Sequence, residues 1–305
     1  MQAEMTTPAS PRSKHQITLV ATDVLARRRR TVNALMTGLI GGSALIGVSI
    51  LFIILGYIIV KGAPALNLDF FIKSPPPLGE AGGGVAHAIR GSLLIVALAS
   101  LVGIPIGLGA GIYLAEFGRG RFANAVRFVA DLMTGLPSIA IGAVAWALLV
   151  KRGIGTYNAV AGSVALAIIM IPIITRTSEE ILKLVPNNLR EASLALGTPR
   201  WKTITSVVLP VARSGVLTGV ILSIARVSGE TAPLLLTVLG NNFASSNLRG
   251  PMAALPLEIY TYATKSPFAD SYTKAWGASL VLIIIIGLLS LFVRLAASGG
   301  PKGRR

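Results

Sequence analysis

The sequence predicts an all-α membrane protein with six transmembrane helices, and three observations carry that reading. Of the 305 residues, 53% are hydrophobic and only 13% charged, giving a mean hydropathy of +0.72. A soluble fold of this length needs more polar surface than such a mixture provides. The apolar residues gather into six blocks, each able to hold the roughly 20 residues that a spanning helix needs. Lys and Arg collect in the connections between the blocks. Gly is abundant at 33 residues, which suits membrane helices because small residues let backbones approach.

Taken in order, residues 1–33 form a polar tail, expected to be disordered, that closes on the run Arg27-Arg28-Arg29-Arg30. An Arg run before an apolar block imitates a signal peptide. The block from Ala34 to Val60 is far longer than the usual ~7–15 residues of a signal sequence, so it is expected to stay as the first transmembrane helix. Residues 61–87 make an extracytoplasmic loop punctuated by Pro75-Pro76-Pro77 and Gly82-Gly83-Gly84. The remaining blocks run Ala88 to Ala115, Phe128 to Val150, Asn158 to Thr175, Val211 to Leu239 and Trp276 to Leu295. The fourth block of the six is short and interrupted at Pro172. Gly103, Gly107 and Gly111 recur every fourth residue in the second block, a pattern that lets another helix pack closely. The external segment from Asn241 to Lys274 is expected to hold a short amphipathic helix near Leu255 to Tyr262. Residues 296–305 are a basic tail.

The net charge of +16 would fit nucleic acid only if the cations shared one continuous face, and they do not. Six spans put both termini on one side of the membrane. Of the 28 Lys and Arg, eighteen fall on that side and eight on the other, while Arg213 and Arg226 lie inside the fifth span. The bias places both termini in the cytoplasm, with Lys151-Arg152 as a local exception. There is no Cys, so disulfides, thiolate metal sites and Cys nucleophiles are excluded. His15 and His87 have no partner at metal-ligand spacing, and no nucleophile–base pair is visible. The phosphate-binding loop G-x-x-x-x-G-K-[ST] occurs nowhere, so the chain is not itself an ATPase of that type.

The most informative chemistry lies in Ala225-Arg226-Val227-Ser228-Gly229-Glu230-Thr231-Ala232-Pro233. A charge at the centre of a span costs at least roughly 2.5–3.5 kcal/mol, so Arg226 must face protein or a watery cavity. Glu230 is one helical turn further on, which would put both side chains on one face. Gly229 and Pro233 weaken the helix and free backbone groups that only a cavity or neighbours can satisfy. Arg offers a planar fork of donors suited to phosphate or carboxylate oxygens, and Ser228 and Thr231 add hydroxyls at the same depth. Two readings stand side by side: a substrate site, or a structural ion pair locking helices together. Thr134 and Ser138 flank Pro137 in the third span. They either hydrogen-bond a passing anion or satisfy the backbone that Pro137 frees. Asp131 reads as interfacial, and Arg176 with Glu179-Glu180 as solvated boundary charges with gate contacts as the alternative.

Between two long apolar blocks lies a polar, basic stretch holding Glu191-Ala192-Ser193, then Gly197, then Val207, then Leu209-Pro210. This spacing resembles the cytoplasmic coupling loop of ABC-importer permeases, with Ser193 in place of a second Ala and Val207 in place of Ile. The Arg226 nonapeptide resembles a segment of the phosphate-specific ABC permeases, the A-type member of their unlike pair. Gly82-Gly83-Gly84-Val85, Ala88-Ile89-Arg90-Gly91-Ser92-Leu93 and Thr134-Gly135-Leu136-Pro137-Ser138 extend the resemblance. The resemblance implies one N-terminal span plus a five-helix type I importer core over residues 88–295, with the coupling loop at 177–210. It further implies a second, homologous permease subunit, an ATP-binding subunit dimer carrying ATP and Mg, and an extracytoplasmic phosphate-binding protein. No cofactor is expected on this chain, and its place would be the bacterial inner membrane. Arg226, Glu230, Ser228, Thr231, Thr134 and Ser138 are the expected substrate path. Glu191, Ala192, Ser193, Gly197, Leu209 and Pro210 are the expected ATPase contacts. Another oxyanion as cargo, such as molybdate or sulfate, and an ion-gradient-driven anion carrier remain as alternatives.

Overall fold

A computed structural model describes residues 22–75, 82–265 and 269–298. The described residues are helical almost throughout, the one β-type contact being an isolated bridge between Leu239 and Met252. The chain divides into two compact units, one ending at Gly56 and the other starting at Tyr57. The first unit is one long helix, α1 (Thr22–Gly62), whose last turns belong to the second unit. It begins twelve residues before the apolar block at Ala34, so the arginine run is helical rather than part of a loose tail.

In the second unit α2 (Leu68–Ile72) precedes α3 (Ala86–Glu116), α4 (Gly120–Gly135) and α5 (Ser138–Ala145), which continues as a π-helix over Trp146–Ile154. Then come α6 (Ala159–Lys183), α7 (Asn187–Ala195), α8 (Arg200–Thr203), a π-turn over Ile204–Val208, α9 (Leu209–Ser228) and α10 (Ala232–Thr237). The short helix α11 (Leu255–Thr264) falls where the sequence places an amphipathic helix, and α12 (Ala269–Ser298) closes the described chain. Five helices are long and apolar enough to cross a membrane. The pair α4 and α5 makes a sixth span only if taken together.

Two expectations about these spans need correction, and a third is sharpened. The third block, read as interrupted at Pro137, bends there, α4 and α5 meeting at an angle of 103°. Pro137 forces Leu136 into an extended conformation (ψ 138°) and leaves no amide to continue the ladder. The fourth block is neither short nor interrupted. α6 runs 25 residues straight through Pro172 and past the charged residues 176–183. The proline is buried among neighbouring helices, and the charges are neutralised in place, as described below. The fifth block breaks after Ser228, so Arg226 sits in the last turn of α9 rather than mid-helix.

α6 is the spine of the unit. Its window of spanning residues is 67% buried, against 22–33% for α3, α9 and α12. In a bilayer, lipid is as apolar as leucine, so close packing rather than burial from water must bind helices together. Glycines on both neighbours provide that closeness. A Cβ on Gly103 would lie 3.1 Å from Met170 Cβ, one on Gly107 2.8 Å from Ile174 Cβ, and one on Gly111 2.7 Å from Ser178 Cβ. On the other flank, Gly215 and Gly219 of α9 admit Ile181 and Thr177 in the same way. The core around this seam joins Ile95, Leu166, Met170, Ile174, Val220 and Leu234.

Replacing Gly107 by Leu is expected to push α3 from α6 and destabilise the fold by roughly 1–3 kcal/mol. The check is thermal unfolding of the purified protein in detergent. An unchanged transition would mean that the seam is not needed.

Candidate functional site

Two helix breaks, far apart in sequence, face one cavity. The first is the elbow between α4 and α5 at Leu136-Pro137. The second lies between α9 and α10. There the amide of Gly229 donates to the Arg226 carbonyl, and that of Glu230 to the Val227 carbonyl (both 3.2 Å), before Pro233 starts the new helix. The two breaks are pressed together, since a Cβ on Gly142 of α5 would lie 2.6 Å from Pro233 Cα. Between them and α6 is a cavity of about 240 Å³, lined by Thr134, Pro137, Ser138, Ile169, Ile173, Arg226 and Glu230 among others.

The structure thus gathers Arg226, Glu230, Thr134 and Ser138 around one space. Ser228 and Thr231 are not brought to it. The Ser228 hydroxyl donates back to the Ile224 carbonyl at 2.7 Å, and Thr231 leads into α10. Of the two readings of Arg226 and Glu230, a substrate site or a structural ion pair, the ion pair is not made in this structure. The helix ends before Glu230, so the one-turn spacing that would have faced the two side chains no longer applies. Neither side chain forms a hydrogen bond or ion pair with any described residue. The Thr134 hydroxyl donates to the Asp131 carbonyl, one turn back in α4, at 2.7 Å. Ser138 stands half-buried at the cavity wall.

Beyond the cavity, along both α4 and α6, lies an ion network centred on a buried carboxylate. Glu179 has no exposed side-chain surface. It accepts from Arg127 Nε at 2.6 Å, Lys183 Nζ at 2.6 Å and Arg176 Nη1 at 2.9 Å. Arg176 also meets Asp131 at 2.8 Å, so two ion pairs cross from α4 to α6. The reading of Glu179 as a solvated boundary charge is therefore wrong. A signal was available: Arg176, Glu179 and Lys183 follow at spacings of three and four, one stripe of a helix.

A second pair escaped the sequence reading because its members are 171 residues apart. Nε2 of His87, at the start of α3, lies 3.0 Å from Oε1 of Glu258 on α11, with both side chains buried. Nearby, burial pushes the pKa of the Tyr262 phenol upward, assisted by the negative charges of Glu258 and Asp270, so it stays protonated.

The segment from Asn187 to Pro210 folds as two short helices rather than a loop. Gly197 has φ +77°, which other residues rarely adopt, and turns the chain between α7 and α8. The hydroxyls of Ser193 and Thr203 meet at 2.9 Å and close the hairpin. Arg190 anchors it to the body of the unit through the Glu116 carboxylate at the end of α3 (2.7 Å) and the Leu182 carbonyl (2.8 Å). Glu191 and Ala192 are exposed, Ser193 is buried, and Leu209-Pro210 begin α9. Leu196 and Trp201 are 86% and 66% exposed, a large apolar surface for a short segment.

Comparison with known proteins fits this geometry. A family model described as binding-protein-dependent transport system inner membrane component matches residues 103–298. The phosphate transport system permease protein PstA of Haemophilus influenzae is 47% identical over 268 residues, covering 88% of this chain and 94% of that one. The chain belongs to the PstA permease family. PstA of Yersinia pestis is 42% identical over 267 residues (87% and 90% covered), and PstA 1 of Mycobacterium tuberculosis strain H37Rv 36% over 286 (92% of each). Among solved structures, a bacterial alginate ABC transporter in complex with an alginate pentasaccharide-bound periplasmic protein superposes with a TM-score of 0.61. It is 14% identical, covering 89% of this chain and all of that one. An inward-facing MetNI methionine ABC transporter gives a TM-score of 0.55 at 20% identity, covering 70% and 95%. At these identities the likeness shows the fold, that of an ABC-importer permease.

Replacing Glu179 by Ala would leave Arg127 and Lys183 facing a buried site without a counter-charge, a loss of roughly 3–5 kcal/mol. Glu179→Gln, which keeps hydrogen-bond acceptors, is expected to lose less. Thermal unfolding of both variants beside the parent measures this, and equal stability of all three would show that the network contributes nothing.

Proposed function

We propose that this chain forms half of the translocation path of an ATP-driven importer of inorganic phosphate and couples that path to a separate ATPase. The observation that carries the reading is Arg226. It is a guanidinium with no ion pair or hydrogen bond to any described residue, at a cavity formed where two helices break. A phosphate crossing a bilayer needs compensating positive charge, and the fork of an Arg matches its oxygens. The PstA membership of the chain supports phosphate over other oxyanions. Thr134 and Ser138 are the hydroxyl groups offered at the same wall, and Glu230 sets the charge balance there.

In this proposal the partners are a second, unlike permease, a pair of ATP-binding subunits holding ATP and Mg, and an extracytoplasmic phosphate-binding protein. Both termini lie in the cytoplasm, as the distribution of Lys and Arg favours. The hairpin of α7 and α8 presents Glu191, Ala192, Leu196 and Trp201 to the ATPase, and Gly197 holds its shape. Closure of the ATPase pair on ATP would push this hairpin. The push would travel along α6 and α9 and open the cavity alternately to either side.

Arg226→Ala or Arg226→Glu is expected to cut phosphate uptake by about a hundredfold or more, since two charge-assisted hydrogen bonds of roughly 1.5–3 kcal/mol each are lost. Assembly should persist. Radiolabelled uptake into cells together with the yield of purified complex separates the two, and normal uptake would remove Arg226 from the path. Gly197→Val strains the turn between α7 and α8. It should leave the core folded while ATP hydrolysis no longer responds to phosphate-loaded binding protein. A preserved response would count against the docking role.

A further inference from the structure

A second cavity, of about 150 Å³, lies at the other end of the spanning helices. It is bounded by the turn after α3 and by the α7–α8 hairpin, and its polar lining is Glu116, Arg119, Arg190, Arg200 and Thr203. Three of those five groups are guanidiniums, yet their situations differ. Arg190 is fully engaged. It donates to the Glu116 carboxylate and to the carbonyls of Val185 and Leu182, so its charge and that of Glu116 cancel in a rigid floor. Thr203 is likewise committed, to Ser193. Arg119 and Arg200 have neither a hydrogen bond nor an ion pair from their side chains to any described residue. They reach the cavity from two different elements, the turn after α3 and the first residue of α8.

We infer that this cavity is a second anion site, built for a phosphate group, on the coupling face of the molecule. Two uncompensated positive charges brought to one concave space repel each other until an anion enters. Guanidinium forks bind the oxygens of a tetrahedral phosphate in pairs, which makes that group the natural occupant. The volume is several times the roughly 30 Å³ that one water occupies in the liquid, so a phosphate group fits. Its source is either free inorganic phosphate or the headgroup of an anionic phospholipid. Either would tie the α3–α4 turn to α8 and so stiffen the hairpin against the first core helix. The site is separate from Arg226 and stands whatever the transported cargo is.

The test uses the full chain, purified with the subunits that accompany it, in an Arg226→Ala background that removes the first site. Parent, Arg119→Gln/Arg200→Gln and Arg119→Lys/Arg200→Lys forms are compared. Both side chains are exposed and unpaired, so folding should be unaffected. Labelled orthophosphate binding is measured by equilibrium dialysis in nanodiscs of phosphatidylcholine alone. Retained phosphatidylglycerol is counted by native mass spectrometry from nanodiscs holding one part phosphatidylglycerol to three of phosphatidylcholine. The expected result is saturable binding of one of the two probes that falls about tenfold in the Gln pair and is partly restored in the Lys pair. Orthophosphate as that probe identifies a free-anion site, and phosphatidylglycerol a headgroup site. Equal retention of both probes by parent and Gln pair would overturn the inference. So would a Gln pair whose sole change is weaker retention of an accompanying subunit, since the cavity would then receive an acidic side chain.

Discussion

Backbone left outside a helix has nowhere to place its hydrogen bonds within a bilayer unless protein or water receives them. This constraint organises the molecule. Two interruptions fall within the apolar blocks, one at Leu136-Pro137 and one from Gly229 to Thr231, and both open onto the same cavity. Each break alone would be a defect. Together they make one polar space in which an unpaired Arg226 is tolerable, because a guanidinium beside a cavity can keep water that lipid would strip from it. The close approach of Gly142 to Pro233 keeps the two breaks together.

Everything else in the second unit serves to hold that cavity open and in register. α6 passes beside it with Ile169 and Ile173, and α6 is fixed by glycine seams on two flanks. Further along, the Glu179 network ties α4 to α6 just where α4 approaches the elbow. Ion pairs are a costly way to join helices, because each charge must first lose its solvent. Here one carboxylate is shared by three cations at 2.6–2.9 Å, so both of its oxygens are engaged. Such a junction is either made or broken.

Much of this was legible beforehand, and the failures have definite causes. The number and order of spans followed from apolar blocks, and the segment from Glu191 to Leu209-Pro210 stood out as a polar stretch between two of them. Arg226 stood out because charge in an apolar run is costly. That Thr134 and Ser138 would join it came from the family resemblance alone, since about ninety residues separate the two breaks and no local pattern links them. The sequence misled on Glu230, because one-turn spacing implies a shared face only while the helix persists, and Gly229 ends it. It misled on α6 for the opposite reason. Pro172 and the charges from Arg176 to Lys183 look like helix breakers in isolation, and only packing from α3, α4 and α9 reveals why they are not. The His87–Glu258 pair was hidden by sequence distance alone.

The geometry also bears on how a push at one face reaches the cavity. From Arg200 to Arg226 the chain is helical without a gap, through α8, the π-turn and α9, a length of roughly 39 Å at 1.5 Å per residue. The stretch from the hairpin to Arg226 is therefore a single rod. The rod has one soft place, the π-turn at Ile204–Val208, where the hydrogen-bond ladder is wider than in an α-helix. The neighbouring α6 ends just before the same hairpin, at Lys183, and lines the same cavity with Ile169 and Ile173. Two rods that share a base and border one site can only change that site by sliding or turning against each other. The glycine contacts of Gly215 and Gly219 with Ile181 and Thr177 lie on the surface where that movement must occur. The glycines let Ile181 and Thr177 seat directly against the α9 backbone, which brings the two helices close.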